Sequence, residues 1–348
     1  AMRLNIGNVK ELFLRYAVVI IILAVLFTLP LYGGKYVIML AMLMGMYITL
    51  GHMWNLLAGY SGLISLGQQM YIGIGGYTLA VASSKLGLPL IVGLILGGLV
   101  SVIVSVGLSY LLLRMKGMYF AIATWMFAEA ALLVVASISY LGKGQGLFIV
   151  EARKLVTGQI YYFSITLAVV TTIVLVALLR SKLGLGLFAI RDSDSASATS
   201  GVPQFRSKLY CMILSSFITG VCGGVFYMSQ VWVQPYASFS ISWTVAAVFI
   251  VVIGGIGTIA GPIIGGVIYV FLSQYLATLS QIGSLNMVIL GVIAVAVILA
   301  APKGIVGTIQ EKLNFEIISA RRWMGKSLAK AAPAHASTAD AERVKKAS

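Results

Sequence analysis

The chain has 348 residues, 60% of them hydrophobic and 9% charged, and its 24 Lys and Arg against 9 Asp and Glu leave a net charge of +15. A water-soluble domain needs roughly 25% charged residues to cover its surface, so soluble globular, collagen-like, disulfide-rich and disordered classes are all excluded. An integral membrane protein remains, and its basic residues do not mark a nucleic-acid surface, because they lie in short clusters between apolar runs rather than in one stripe.

In chain order, apolar segments are read at about 16–32, 36–57, 59–82, 88–113, 118–140, 160–180, 208–232, 241–258, 261–279 and 284–301, each near the length of about 20 residues that a bilayer demands. The predicted fold is therefore all-α and polytopic, with about 10 transmembrane segments. The first segment lacks an A-x-A-like cleavage site and is followed by further spans, so it reads as a span rather than a signal peptide. Segment 59–82 contains Gly59, Gly62, Gly67, Gly73, Gly75 and Gly76. Around residues 251–266 stand Gly254, Gly255, Gly257, Gly261, Pro262, Gly265 and Gly266. Both stretches are predicted to be broken or re-entrant rather than continuous helices.

Ten crossings put both termini on one side, and sorting the loops puts 19 of the 24 basic residues on that side. Positive charge marks the cytoplasmic face, so the expected orientation is N-in and C-in. Tyr161, Tyr162, Trp232, Tyr236 and Trp243 fall at the outer segment ends, where amphipathic rings settle. The expected organisation is a cytoplasmic segment at 1–15, a permease domain at 16–302 with a cytosolic loop at 181–207, a cytoplasmic amphipathic segment at 303–330 and a disordered tail at 331–348. Within the loop, Asp192, Ser193, Asp194 and Ser195 have helix-start chemistry and Pro203 a stop, which predicts a short helix lying across the membrane face, with a plain solvated loop as the alternative.

Chemistry inside the membrane is sparse. Glu129 is the one carboxylate within a predicted span, and such a group is by default functional unless a neighbouring helix simply satisfies it. His52 is a candidate proton carrier, though a lone intramembrane His more often packs helices through a hydrogen bond. A helix broken at glycine exposes N–H groups that can bind an anionic group such as a carboxylate, while close helix packing is the plainer use of the same residues. Cys211 and Cys222 lie about 16 Å apart along one predicted helix, too far for a disulfide. His52 and His335 are the only histidines, so no metal cluster is expected. Gly325-Lys326-Ser327 is no phosphate cradle, since position 320 is Ala and no strand precedes it. The chain is expected to be neither an enzyme nor an ATPase, with no cofactor of its own.

Taken together, three runs of residues resemble a known family. They are Gly59-Tyr60-Ser61-Gly62-Leu63-Ile64-Ser65-Leu66-Gly67 with Gly73-Ile74-Gly75-Gly76-Tyr77; Arg114-Met115-Lys116-Gly117-Met118-Tyr119-Phe120 continuing to Phe127-Ala128-Glu129; and Val252-Ile253-Gly254-Gly255-Ile256-Gly257-Thr258 with Gly261-Pro262. With Ser181-Lys182-Leu183-Gly184, Ala189-Ile190-Arg191-Asp192 and Lys208, they are similar to the LivM-type permeases of branched-chain amino acid ABC importers over about residues 35–305. The resemblance implies an inner-membrane subunit paired with a second, LivH-like permease. It also implies two cytosolic ATPases that consume ATP and a periplasmic binding protein that delivers substrate. Ser61, Gly62, Ser65, Gly67, Glu129, Gly255 and Gly257 become candidates for the substrate pathway. Arg191, Asp192, Ser195, Ala196, Ser197 and Gly201 become candidates for ATPase docking, although Ser195-Ala196-Ser197 replaces the acidic residue and two alanines often found there. A urea or short-amide ABC permease is the nearest alternative in substrate, and an ion-coupled secondary transporter using Glu129 or His52 is the alternative in class.

Overall fold

A computed structural model describes residues 24–192, 197, 201–279, 285–301 and 304–313. Helices account for nearly all of the ordered backbone, in keeping with an apolar solvent that leaves every backbone N–H and C=O to be satisfied internally. The elements are α1 (24–32), α2 (Lys35–Asn55), α3 (Gln68–Ser84), α4 (Leu90–Leu112), α5 (Met118–Ser137), α6 (Thr157–Arg180), α7 (Lys182–Asp192), α8 (Gln204–Gln230), α9 (Pro235–Ser238), α10 (Ser242–Gly254), α11 (Ala260–Leu279), α12 (Leu285–Ala300) and α13 (Gly304–Leu313). Among the described residues 7 helices are long and apolar enough to cross a membrane: Lys35–Tyr60, Leu90–Leu112, Met118–Ser137, Thr157–Arg180, Gln204–Gln230, Pro235–Gly254 and Ala260–Ala277. Of the other predicted segments, 59–82 is broken and forms the 17-residue α3, while 284–301 forms the 16-residue α12. The segment 16–32 is described only from residue 24.

The chain alternates between two ends of this bundle. At one end a two-residue antiparallel ribbon pairs Leu147 with Val233 and Phe148 with Trp232. Ser84 Oγ, at the end of α3, donates to the Phe148 carbonyl at 2.6 Å and accepts from the Val150 N–H at 3.2 Å. Lys85 donates to the Tyr140 carbonyl, so the ends of α3, α5 and α8 meet there. At the opposite end lie the close of α2, all of α7, the start of α11 and Gly304.

Helices α3, α4 and α8 form the tightest packing, and small residues permit it. A Cβ on Gly97 would stand 3.0 Å from the Gly75 carbonyl oxygen, and one on Gly220 would stand 2.9 Å from the Gly97 carbonyl oxygen. Gly73 and Gly76 are likewise filled from across the interface, by the rings of Phe239 and Tyr227. Half of the glycines in segment 59–82 therefore serve close helix approach.

The loop at 181–207, expected on the cytosolic side, differs from expectation. Asp192 does not begin a helix; it is the last residue of α7, which starts at Lys182. The spacing of Leu183, Leu187 and Ile190 is helical, and Leu187 and Ile190 are buried against the bundle. Ser193 and Asp194 of the expected helix start lie outside the described residues, and Ser197 beyond them is helical. Ser195 and Ala196 lie outside the described residues, as do residues 1–15 and all of the segment beyond residue 313.

Candidate functional site

Both glycine-rich stretches are broken, and the two breaks touch. In the first, α2 widens into one π-helical turn at Leu56–Tyr60 and unwinds through residues 61–67 before α3 restarts. Gly62, at φ +70°, reverses the chain in a conformation that a side chain would oppose. The irregular backbone is satisfied piece by piece. The Leu63 N–H donates to the Leu57 carbonyl at 2.8 Å, the Ser61 hydroxyl to the same carbonyl at 2.7 Å, and the Trp54 indole to the Ser65 carbonyl at 2.8 Å. On the far side the Leu66 N–H donates to Thr124 Oγ1 of α5 at 3.0 Å.

The second break runs from Gly255 to Ile259 between α10 and α11. Thr258 holds it, donating to the Gly255 carbonyl at 2.8 Å and accepting from the Gly261 N–H at 3.0 Å. Asn55, fully buried at the end of α2, staples this break to the first. Its Oδ1 accepts from the Gly257 N–H at 2.8 Å, and its Nδ2 donates to the Thr258 carbonyl at 2.9 Å. Gly59 makes room, since a Cβ there would reach the Gly257 nitrogen at 2.7 Å.

Helix α7 covers this junction. The Phe188 ring meets the Tyr60 ring edge-on, with centroids 5.9 Å apart. The Arg191 guanidinium lies where a Cβ on Gly257 would go, its Cζ 3.0 Å from that point. Gly304 closes against the Gly255 Cα from the other side. A displacement of α7 therefore bears directly on Tyr60 and Gly257, that is, on both breaks.

Of the expected pathway residues, Ser61, Gly62, Ser65 and Gly67 lie in the first break and Gly255 and Gly257 in the second, and the breaks meet through Asn55 and Gly59. Glu129 stands apart, on the outward side of α5, where its Oε1 accepts from the Trp125 indole at 3.1 Å. Of the expected docking residues, Arg191 reaches the junction, and Ser197 is buried and accepts from Gln204 Nε2 at 2.7 Å. Gly201 adopts φ +76° beyond it. His52 is fully buried and shares a hydrogen bond of 3.2 Å with Thr172 Oγ1 of α6, as a helix-packing histidine would.

Uncharged amides were missed by the sequence reading, which weighed charges. Besides Asn55, Gln68 and Gln69 open α3 fully buried. Gln68 Nε2 donates to Ser215 Oγ at 3.2 Å and its Oε1 accepts from Thr219 Oγ1 at 3.2 Å, while Thr244 donates to Gln69 Oε1. The available signal was the pair Gln68-Gln69 at the restart of an apolar segment. These bonds tie the first turn of α3 to α8 and α10. Beside the first break, a small cavity of about 10 Å³ is lined by Ser65, Gly67, Met70, Tyr71, Phe120 and Thr124 among others. Its walls are mostly apolar, with Ser65, Tyr71 and Thr124 the hydroxyl-bearing residues among them.

Comparison with known proteins agrees with this architecture. The family model for the permease component of branched-chain amino acid transport systems matches residues 36–298. The chain belongs to that permease family. The high-affinity branched-chain amino acid transport permease LivM of Salmonella typhimurium is 28% identical over 300 residues, 78% of this chain and 70% of its own length. LivM of Escherichia coli is 26% identical over 331 residues, covering 86% of this chain and 76% of its own length. A probable LivH permease of Methanocaldococcus jannaschii is 32% identical over 143 residues, 39% of this chain and 44% of its own. No solved structure matches the permease.

Proposed function

We propose that this permease is one of two membrane-embedded halves of an ABC importer that moves branched-chain amino acids into the cytoplasm of a bacterial cell across its inner membrane. In this reading the chain crosses the membrane ten times with both termini cytoplasmic. A second, LivH-like permease completes the pathway, two cytosolic ATPases drive it, and a periplasmic binding protein delivers the substrate. The junction of the two broken helices beneath α7 is the observation that carries the mechanism: a push on α7 by an ATPase would be transmitted through Arg191 and Phe188 to the unwound backbone. Ser61, Ser65 and Gly67 would meet the substrate along the unwound first break, beside the aliphatic and aromatic side chains that flank it.

Reconstitution of the permease with its ATPases, second permease and binding protein tests the reading. ATP-dependent leucine uptake is expected. Uptake that persists without ATPases under a proton gradient would overturn it in favour of ion coupling. In the same system, proline at Ala196 or Ala198, which lie outside the described residues, should leave membrane insertion intact and uncouple ATP hydrolysis from uptake; unchanged uptake would remove the 181–207 loop from the mechanism.

A further inference from the structure

The outward faces of α4 and α5 differ in one respect. Helix α4 exposes Ile91, Ile95, Leu99, Ile103 and Val106, a surface that hydrocarbon satisfies completely. Helix α5 exposes Ile122, Met126 and Leu133 at the same helical spacing, yet the stripe also carries Trp125, 40% exposed, and the half-buried Glu129. Glu129 is the one acidic residue in the seven long apolar helices. It lies 11 residues from the start of α5 and 8 from its end, about 17 and 12 Å along the axis, close to mid-depth of a hydrocarbon layer about 30 Å thick.

A carboxylate can accept several hydrogen bonds, and the Trp125 indole has a single N–H, already given to Oε1. Lipid tails donate none, so a lipid-facing Glu129 would stay largely unsatisfied. We propose that the α5 face carrying Ile122, Trp125, Met126, Glu129 and Leu133 packs against the second permease subunit, which brings a hydrogen-bond donor or a cationic side chain to Glu129 within the membrane. The proposal rests on the reading that the chain works paired with such a subunit. A second copy of this chain is the poorer occupant, because a two-fold pairing on this face would set the same carboxylates toward one another. The purely apolar α4 face is left to lipid.

Site-specific photo-crosslinking in membranes containing the complete transporter tests the face and the pairing separately. Benzoylphenylalanine is placed at Met126, which is 65% exposed, or at Ile103, which is 70% exposed, so neither substitution disturbs the core. The expected result is a crosslink from position 126 to the second permease and none from position 103. Glu129→Leu should lower recovery of the second permease on purification of this chain about tenfold, and Glu129→Gln, which still accepts a hydrogen bond, should keep it within about twofold. If the second permease co-purifies but crosslinks only from position 103, the assignment of this face is overturned while pairing stands. A crosslink to another copy of this chain overturns the choice of occupant, and undiminished recovery with Glu129→Leu overturns the role of the carboxylate. Failure of the unsubstituted chain to recover any second permease overturns the pairing reading itself.

Discussion

The two glycine-rich breaks have similar composition and different surroundings. The first is the longer, seven residues from Ser61 to Gly67, and it is held by its own helix and by Thr124 of α5, with the small cavity at its side. The second is shorter, is capped within itself by Thr258, and is pressed between Arg191 and Gly304. One break thus borders a small apolar cavity, and the other is filled by the Arg191 side chain of α7. Asn55 joins them. The difference teaches that a motif of repeated glycines does not have one role: what packs into each glycine decides whether it borders a cavity or seats a neighbouring helix.

Three substitutions would break or sharpen that contrast. Asn55→Leu has the largest expected effect. It leaves the part-buried Gly257 N–H and Thr258 carbonyl without their partner, at a cost of about 1–3 kcal/mol, and should abolish ATP-driven uptake and lower the melting temperature in detergent; a variant with unchanged uptake would show that the breaks act independently. Gly257→Ala comes next, combining a φ of +74° with the overlap against Arg191. The expected loss is about 1–3 kcal/mol, read as reduced coupling of ATP hydrolysis to uptake. Adding Arg191→Ala should restore part of that loss, and equal defects in the single and double variants would separate α7 from the second break. Gly62→Ala has the smallest effect: φ is +70° but a Cβ would meet nothing within 4 Å. Its cost should be about 1 kcal/mol, visible in thermal stability, with uptake within about threefold. A loss as large as that of Gly257→Ala would mean that the first break moves in the cycle as well.

Much of the architecture was legible from residue order. Apolar stretches of membrane length, basic clusters between them and the two glycine-rich interruptions stand in the sequence because a bilayer selects on composition over about 20 residues. The interruptions at residues 61–67 and 255–259 were anticipated, whereas their contact was not, since Asn55 and Gly257 are distant in the chain and an uncharged amide gives little signal. Helix α7 was hidden because Asp192 and the serines after it advertise a helix start, while Leu187 and Ile190 formed a buried face only once α6 and α8 were in place. Glu129 shows the same division. Its rarity in an apolar span is a property of the sequence, and so is the expectation that it matters. That it lies on the outward side of α5, away from both breaks, was decided by which face of α5 packs on α3, where Phe120, Thr124 and Ala128 are buried instead. Composition alone determined that this chain lives in a membrane, because solvation acts on each segment separately. Only the tertiary structure determined which polar groups meet, because a hydrogen bond in an apolar medium needs a partner at a set distance, and helix packing alone supplies it.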